Sequence, residues 1–314
     1  MVGVSVYARR RLTAGGAVAV LLLVLILLVR SCGSDEGSDS RAATPTTVKK
    51  PAPKQLPRGG RVLFPDWRVV ALYGNPRDPE LGELGIGTPT RAGIKLNAQA
   101  KPYERKTRPV LPAMELISTI ATAAPGDNGD HSEQQPDEMI ARYLKAARKA
   151  KALLILDIQP GWASWESEIG HLTKWLREPD VGLALDPEWK VPEGTVPGQA
   201  IGSMHAETVN SAARYLAKLV RENDLPEKLL LVHRFTADMI VDDHLIRDHE
   251  GVQTVINVDG FGARSAKVNK YHEFARQTPQ AKRGFKLFYK EDTNLLKPAS
   301  VMALSPRPDV VVYE

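Results

Sequence analysis

The chain contains a single cysteine, Cys32, in 314 residues. One cysteine cannot form a disulfide within the chain, and it cannot supply the several thiolates of a structural zinc site. The stability of the folded part must therefore come from packing. Because 43% of the residues are hydrophobic, the chain can bury a large core, which excludes a disordered or fibrous protein.

Charge is absent from one long stretch near the N-terminus. The 18 residues from Leu12 to Val29 carry no charged side chain, and three arginines at 9–11 precede them. A helix of this length spans about 27 Å at about 1.5 Å per residue, close to the hydrocarbon thickness of a bilayer. Because basic residues favour the cytoplasmic side, we predict a cytoplasmic stub at 1–11 and a transmembrane or signal segment at 12–29. The rest of the chain would then be extracytoplasmic.

Two other interpretations of this region stay open. A cleaved secretory signal is one, although its apolar run is usually shorter and no small-residue cleavage site follows here. The other rests on Val29, Arg30, Ser31 and Cys32, which resemble a bacterial lipoprotein box apart from the arginine. That resemblance implies acylation of Cys32. All three interpretations put the domain outside the cytoplasm, and we expect a single-pass or lipid-anchored protein of the cell membrane.

The excess of positive charge belongs to the N-terminal part alone. Residues 1–60 hold nine of the 42 Lys and Arg residues and three of the 37 Asp and Glu residues, so the remainder has 33 basic and 34 acidic side chains. A neutral domain does not attract polyphosphate, and we expect no nucleic acid partner. Residues 30–60 are rich in Ser, Thr, Pro and Lys, which predicts a disordered extracytoplasmic linker before a folded domain at 61–314.

Glycine-rich phosphate loops are also missing after the early strands, which argues against a doubly wound dinucleotide-binding sheet, the structural alternative. Short apolar runs alternate instead with amphipathic stretches, as expected of parallel strands covered by helices. Eight strands in about 254 residues predict one (β/α)8 TIM-type barrel. The weak point is 74–112, which we interpret as a long first loop with an extra strand or hairpin. The predicted strands are Val69–Tyr73, Ala113–Ile120, Ala152–Ile158, Val181–Leu185, Leu229–His233, Val252–Val258, Phe285–Tyr289 and Val310–Tyr313, and the predicted helices are Asp137–Lys151, Trp165–Arg177, Glu207–Asn223 and Ala266–Gln277.

The ends of the predicted strands are unusually polar. In a TIM barrel the carboxyl ends of all eight strands surround one mouth, where active sites lie. Carboxylates after several separate strands would therefore converge on one concave space. The candidates for substrate binding at this mouth are Glu115, Asp157, Gln159, Trp162, Trp189, His233, Asn257 and Tyr289.

The most specific motif is Gly182-Leu183-Ala184-Leu185-Asp186-Pro187-Glu188-Trp189, at the end of the fourth predicted strand. Residues two apart on a strand point to the same side, and two close carboxyls cannot both ionise easily, which suits a general acid. The motif resembles the Asp-x-Asp-x-Glu run of family 18 glycoside hydrolases, which are chitinase-like TIM barrels. That resemblance implies Glu188 as proton donor, Asp186 as its partner and Tyr289 as a substrate-positioning hydroxyl. The first aspartate of the run corresponds to Ala184 here, so a glycoside-hydrolase-like barrel is predicted without a definite family.

The predicted function is acid/base hydrolysis of a polysaccharide, with Glu188 as acid, Asp259 or Glu291 as the second carboxylate and Asp186 as a supporting carboxylate. The partner would be a carbohydrate or cell-envelope polymer, and we expect neither a cofactor nor a bound metal. The run from Asp127 to Asp130 has calcium-like spacing but lacks the distal glutamate of an EF-hand. Two alternatives remain, a non-catalytic carbohydrate-binding barrel and an envelope scaffold. In both, Asp186-Pro187 could be a simple turn.

Overall fold

The computed structural model describes residues 52–314. The stub at 1–11, the apolar segment at 12–29, Cys32 and the linker up to residue 51 lie outside the described residues. Within 52–314, no helix is both long enough and apolar enough to cross a membrane.

Eight parallel strands form a closed barrel, as the alternation of apolar runs and amphipathic stretches predicts. The first strand, β1, pairs with the second along one edge and with the last along the other, which closes the sheet. The barrel strands are β1 (Arg68–Gly74), β2 (Val110–Ala121), β4 (Leu153–Ile158), β5 (Val181–Leu185), β7 (Lys228–Arg234), β9 (Val252–Val258), β10 (Lys282–Leu287) and β11 (Val310–Tyr313).

Short strands and helices connect the barrel strands. Three short strands lie outside the barrel's parallel ring: β3 (Ser132–Gln134), which pairs antiparallel with β2, and β6 (Met204–His205) and β8 (Ile240–Val241), which pair with each other. The helices are α1 (Pro89–Ala100), α2 (Asp137–Ala150), α3 (Trp165–His171), α4 (Thr173–Leu176), α5 (Ala206–Asn223), α6 (Arg264–Gln277) and α7 (Pro298–Val301). The predicted helix from Trp165 to Arg177 is thus two short helices, which meet at Leu172.

The interpretation of residues 74–112 as a loop with an extra strand or hairpin is wrong, because this stretch contains α1. The Thr88 side chain accepts a hydrogen bond from the Arg91 amide and caps the helix, and Pro89 occupies its first turn. The buried face is built from Ala92, Gly93, Leu96 and Ala100, while Ile94 is exposed. A face of mostly small residues gives a weak helical pattern, and this explains the error.

Successive residues of each strand point in turn to one of two separate apolar layers. One layer fills the barrel interior and includes Val69, Ala71, Leu111 and Val312. The other lies between the strands and the surrounding helices. This alternation sends every second residue of each strand toward the barrel axis, which decides which polar side chains reach the mouth.

The described residues form one compact unit, Ala52–Glu314. Leu56 is buried and packs with Leu63 and Phe64 against the interior layer, before β1 starts. Arg58 donates a hydrogen bond of 3.0 Å to the Val110 carbonyl and one of 2.9 Å to Asn97. These contacts close the amino-terminal end of the barrel, so the open mouth is at the other end.

Candidate active site

A cavity of about 300 Å³ opens at the carboxyl ends of the barrel strands. Residues from most of the barrel strands or from the loops that follow them form its wall, as the barrel plan predicts. The segment between β1 and α1 contributes Leu81 to this wall. The other lining residues are Tyr73, Ile117, Gln159, Asp186, Glu188, Trp189, Phe235, Asp259, Gly260, Phe261, Lys270, Lys286, Phe288 and Glu314.

Asp186 and Glu188 both line this cavity, as predicted from their spacing. Asp186 is the first residue after β5, and a single 3-10 turn, Pro187–Trp189, follows it, so the Asp-Pro pair also forms a turn. Burial raises the pKa of Glu188 to about 7, with a further contribution from the charge of Asp259. Burial likewise raises the pKa of Asp186 well above its ordinary value. Both carboxyls therefore hold a proton more tightly than an exposed acid.

Asp259, directly after β9, has surroundings that favour the ionised carboxylate, unlike those of Asp186 and Glu188. Its carboxylate accepts hydrogen bonds from the Gly260 amide at 2.6 Å, from His233 Nδ1 at 2.9 Å and from Lys286 Nζ at 3.1 Å. Burial acts to raise the pKa of Asp259, but Lys286 and His233 outweigh burial and hold it well below its ordinary value. The cavity therefore contains two carboxyls that favour the acid form, Asp186 and Glu188, and one that favours the anion, Asp259.

His233 lies fully buried beneath the cavity, between two carboxylates. Its Nδ1 is 2.9 Å from Asp259 and its Nε2 is 3.0 Å from Glu115, while Asp157 Oδ1 is 3.9 Å from Nε2. Burial and Lys286 act to lower the pKa of His233, but the hydrogen bonds to Asp259 and Glu115 raise it well above the ordinary value. Asn257, the inward residue two positions before Asp259, places its amide 3.5 Å from Nδ1.

Asp157 joins this buried network to the cavity wall. The Tyr73 hydroxyl donates to Asp157 Oδ2 at 3.1 Å and accepts from Gln159 Nε2 at 3.2 Å. Burial raises the pKa of Asp157 to about 6 against the opposing charge of His233. Since Tyr73 and Gln159 both line the cavity, Asp157 is one hydrogen bond away from it.

Aromatic side chains surround the opening. Trp189 lines the cavity as predicted, and Phe235, Phe261 and Phe288 join it. Phe261 is 67% exposed, and its ring centroid lies 5.8 Å from that of Phe288 in an edge-to-face arrangement. An exposed ring at a cavity rim offers an apolar face to a ligand.

Three predicted site residues belong neither to the cavity wall nor to the buried network beneath it. Glu291 is exposed and lies in a separate surface depression beside Glu80 and Lys290. Tyr289 points outward, where its hydroxyl donates to Gln99 at 2.8 Å and its ring stacks on Tyr313. Trp162 donates from Nε1 to the Thr195 carbonyl at 2.8 Å. Tyr289 shares the outward register of Phe285 and Leu287 in β10 and packs against the same outer layer, and Glu291 lies beyond the end of this strand at Leu287.

The sequence interpretation missed three charged residues of the cavity wall, which are Lys270, Lys286 and Glu314. Lys286 Nζ lies 2.7 Å from Glu314 Oε2, 3.1 Å from Asp259 Oδ2 and 3.8 Å from the centroid of the Tyr73 ring. A lysine inside an otherwise apolar strand is seldom buried without a partner, and this was the available signal for Lys286. Glu314 follows β11 in the same inward register as Val310 and Val312.

Among residues 52–314, one group of side chains has the geometry to hold a metal ion. One ligand atom from each of Glu115, Asp157 and His233 lies within 4.8 Å of the others, and all three residues are buried. The Asp127–Asp130 run, by contrast, is a turn in which Asp127 is exposed and Gly126 and Gly129 have positive φ angles. It places its oxygens on a surface loop.

No protein-family model and no curated protein matches this chain. Among the solved structures that are similar in part, two have 11% sequence identity over 79% of this chain. One is the spore coat polysaccharide biosynthesis protein SpsE of Bacillus subtilis, with a TM-score of 0.43 and 59% of its length covered. The other is described as a family GH13_31 enzyme, with a TM-score of 0.36 and 65% covered. The chain thus spans less than two thirds of either structure, and the assignment of the TIM barrel rests on the strand pairing itself.

Proposed function

We propose that the domain is a glycoside hydrolase whose active site is the cavity at the barrel mouth. The observation that carries this proposal is the pair of opposed carboxyls, Glu188 and Asp259, in one cavity. Two carboxyl groups whose surroundings separate their protonation states can serve as acid and as base or nucleophile. This is the requirement for breaking a glycosidic bond.

Glu188 is the proposed general acid. With a pKa of about 7, much of its population is protonated at neutral pH, so it can donate a proton to a leaving-group oxygen. Glu188 is half-buried at the cavity wall, where its carboxyl and a bound ligand are both partly shielded from water. Glu291 is not part of this proposal, because it is exposed outside the cavity.

Asp259 is the proposed second carboxylate. The positive charge of Lys286 at 3.1 Å and the Gly260 amide at 2.6 Å stabilise its anion, as a nucleophile or a base requires. Asp186 is buried between Asp157 and Glu188, and we assign it a positioning role in which it hydrogen-bonds a sugar hydroxyl. The Phe261 and Trp189 rings would pack against the apolar face of a pyranose.

We also propose that residues 12–29 or an acylated Cys32 tether this domain to the outer face of the cell membrane. The support is the uncharged 18-residue stretch after three arginines and the lipoprotein-like box. The substrate would then be a cell-envelope or environmental polysaccharide.

Replacing Glu188 tests the catalytic assignment. In hydrolysis assays on a panel of glycans, Glu188→Gln should lower kcat by about 100-fold or more, since removing a general acid commonly costs 10²–10⁴-fold. Glu193→Gln is the matched control, because Glu193 is exposed five residues further along the same loop. Equal activity in the wild type and in Glu188→Gln would refute the assignment.

A non-catalytic carbohydrate-binding barrel is the second candidate. The observation that favours it is that Asp157 and Asp259 are both engaged by neighbouring side chains within the barrel. Carboxylates that are hydrogen-bonded in this way can stabilise the fold without taking part in a reaction. Binding of oligosaccharides to the purified protein without any release of reducing ends would select this function.

A further inference from the structure

A buried side-chain cluster beneath the cavity is not explained by glycan hydrolysis. Glu115 and Asp157 project inward from β2 and β4, and His233 projects from β7 on the facing side of the barrel. All three side chains are fully buried, and one atom from each lies within 4.8 Å of the others. Three convergent ligand atoms in one enclosed space are the geometry of a metal site.

A second, independent observation comes from unpaired oxygens. Glu115 Oε2 and Asp157 Oδ1 are buried, and neither accepts a hydrogen bond from the described part of the chain. A buried carboxylate oxygen without a donor is costly, so such atoms usually mark a bound ion or an ordered water. Here two of them occur on the same two acids that face His233 Nε2.

The distribution of charge points the same way. Lys286 is already paired with Asp259 and Glu314, so it is not free to neutralise the deeper acids. Among the described residues, His233 is therefore the one basic side chain in contact with Glu115 and Asp157, and it also contacts Asp259. Two carboxylates and one divalent cation have no net charge together. Two carboxylates and one imidazolium keep a net negative charge, which is costly when buried.

We propose that Glu115, Asp157 and His233 form a binding site for a first-row divalent transition-metal ion. Carboxylate oxygens suit Mn²⁺ and imidazole nitrogen suits Zn²⁺, so a mixed set of two oxygens and one nitrogen favours these ions over Mg²⁺ or Ca²⁺. His233 would coordinate through Nε2 while Nδ1 keeps its hydrogen and donates to Asp259. A carboxylate that orients a metal-binding histidine in this way is a general feature of metal sites.

One side chain separates the proposed site from the cavity. The Tyr73 hydroxyl separates Asp157 from the cavity and is held there by two hydrogen bonds, at 3.1 and 3.2 Å. The metal proposal is separate from the proposed hydrolase, because metal binding is measured without any substrate.

Isothermal titration of the full-length protein, stripped with EDTA and held in detergent, tests the site directly. We expect one equivalent of Zn²⁺ or Mn²⁺ to bind, with Mg²⁺ and Ca²⁺ at least tenfold weaker. Asp259→Asn should weaken binding by about 10- to 100-fold, and Asp157→Asn or His233→Gln should weaken it further. Asp127→Asn is the matched control, because Asp127 is an exposed acid of the calcium-like loop and its variant should bind as the wild type does.

Pulsed EPR of the wild-type Mn²⁺ complex keeps the test independent of folding defects in the variants. Coupling to a nitrogen nucleus is expected, because His233 is a ligand. The proposal is overturned if no metal binds at one equivalent, if bound Mn²⁺ shows no nitrogen coupling, or if Asp127→Asn rather than Asp157→Asn removes binding. In the first case, water would be the partner of the two unpaired oxygens.

Discussion

At the scale of the residue, position in the strand determines the chemistry of each side chain. Asp186, His233 and Lys286 all take the inward register of their strands, and burial brings them close enough to shift each other's pKa. Asp259 becomes an anion because Lys286 and His233 contact it, while Glu188 keeps a proton because it is half-buried beside that anion. The same residue types at exposed positions would have no such difference.

The sequence allowed most of these residues to be predicted, because a polar residue at the end of an apolar strand is conspicuous. It did not distinguish inward from outward positions after the strand ends, so Tyr289 and Glu291 were assigned to the mouth and Tyr73 was not. A shift of one residue along a strand moves a side chain to the opposite face of the sheet. The exact end of β10, at Leu287, is a tertiary property and was not predictable from its composition.

Tyr73→Phe tests the hydrogen bonds that link the buried acids to the cavity. The change removes the donor to Asp157 and should lower the free energy of unfolding by about 1 to 3 kcal/mol, because a buried carboxylate oxygen loses its partner. Urea unfolding measures this. Tyr215→Phe is the control, since the Tyr215 hydroxyl meets Thr173 in a half-buried position that water can reach, and its loss should cost less. Equal effects would contradict the importance of the Tyr73 contact.

At the scale of the element, all eight barrel strands were predictable because buried parallel strands form continuous apolar runs. The helices were predictable only where their apolar faces contain large residues. Helix α2 has Ile140, Tyr143 and Leu144 on its buried face, whereas α1 buries mainly alanine and glycine. The closure of the barrel between β1 and β11 depends on contacts between residues far apart in the sequence. The indication of closure in the sequence was the number of predicted strands, which is eight.

Gly284 in β10 shows how closely neighbouring strands approach at the site. A Cβ atom there would lie 2.4 Å from Asn257 Oδ1 and 2.9 Å from Asn257 Cα, so Gly284→Ala should lower the free energy of unfolding by about 1 to 3 kcal/mol. Gly170→Ala is the control, because a Cβ on this helical glycine meets no atom within 4 Å and alanine favours helices. Denaturant unfolding of both variants makes the comparison. A neutral Gly284→Ala would contradict the close approach.

At the scale of the whole molecule, the two ends of the barrel differ. The segment before β1 closes the amino-terminal end with Leu56, Leu63 and Phe64, while the carboxyl end carries the cavity and its acids. Because one end is closed and the other is open, the cavity of the described barrel lies at its carboxyl end. The predicted convergence of strand-end acids holds for Asp157, Asp186, Glu188 and Asp259, and it does not hold for Glu291.

Leu56→Ala tests whether the domain truly includes the residues before 61. Leu56 is 3% exposed, and truncating a buried leucine costs about 2 to 5 kcal/mol of unfolding free energy. Thermal or urea unfolding should show this loss, while Lys54→Ala, an exposed neighbour, should leave stability unchanged. A neutral Leu56→Ala would mean that residues 52–60 contribute nothing to the fold.

The pH dependence of glycan hydrolysis tests the central claim most directly. Glu188 must be protonated to act as the acid, and its pKa is raised from 4.5 to about 7, so kcat/KM should fall as pH rises through about 7. Glu188→Gln should lose this falling limb together with most of its rate. A limb near pH 4.5, or an unchanged profile in Glu188→Gln, would contradict the assignment of Glu188 as the catalytic acid.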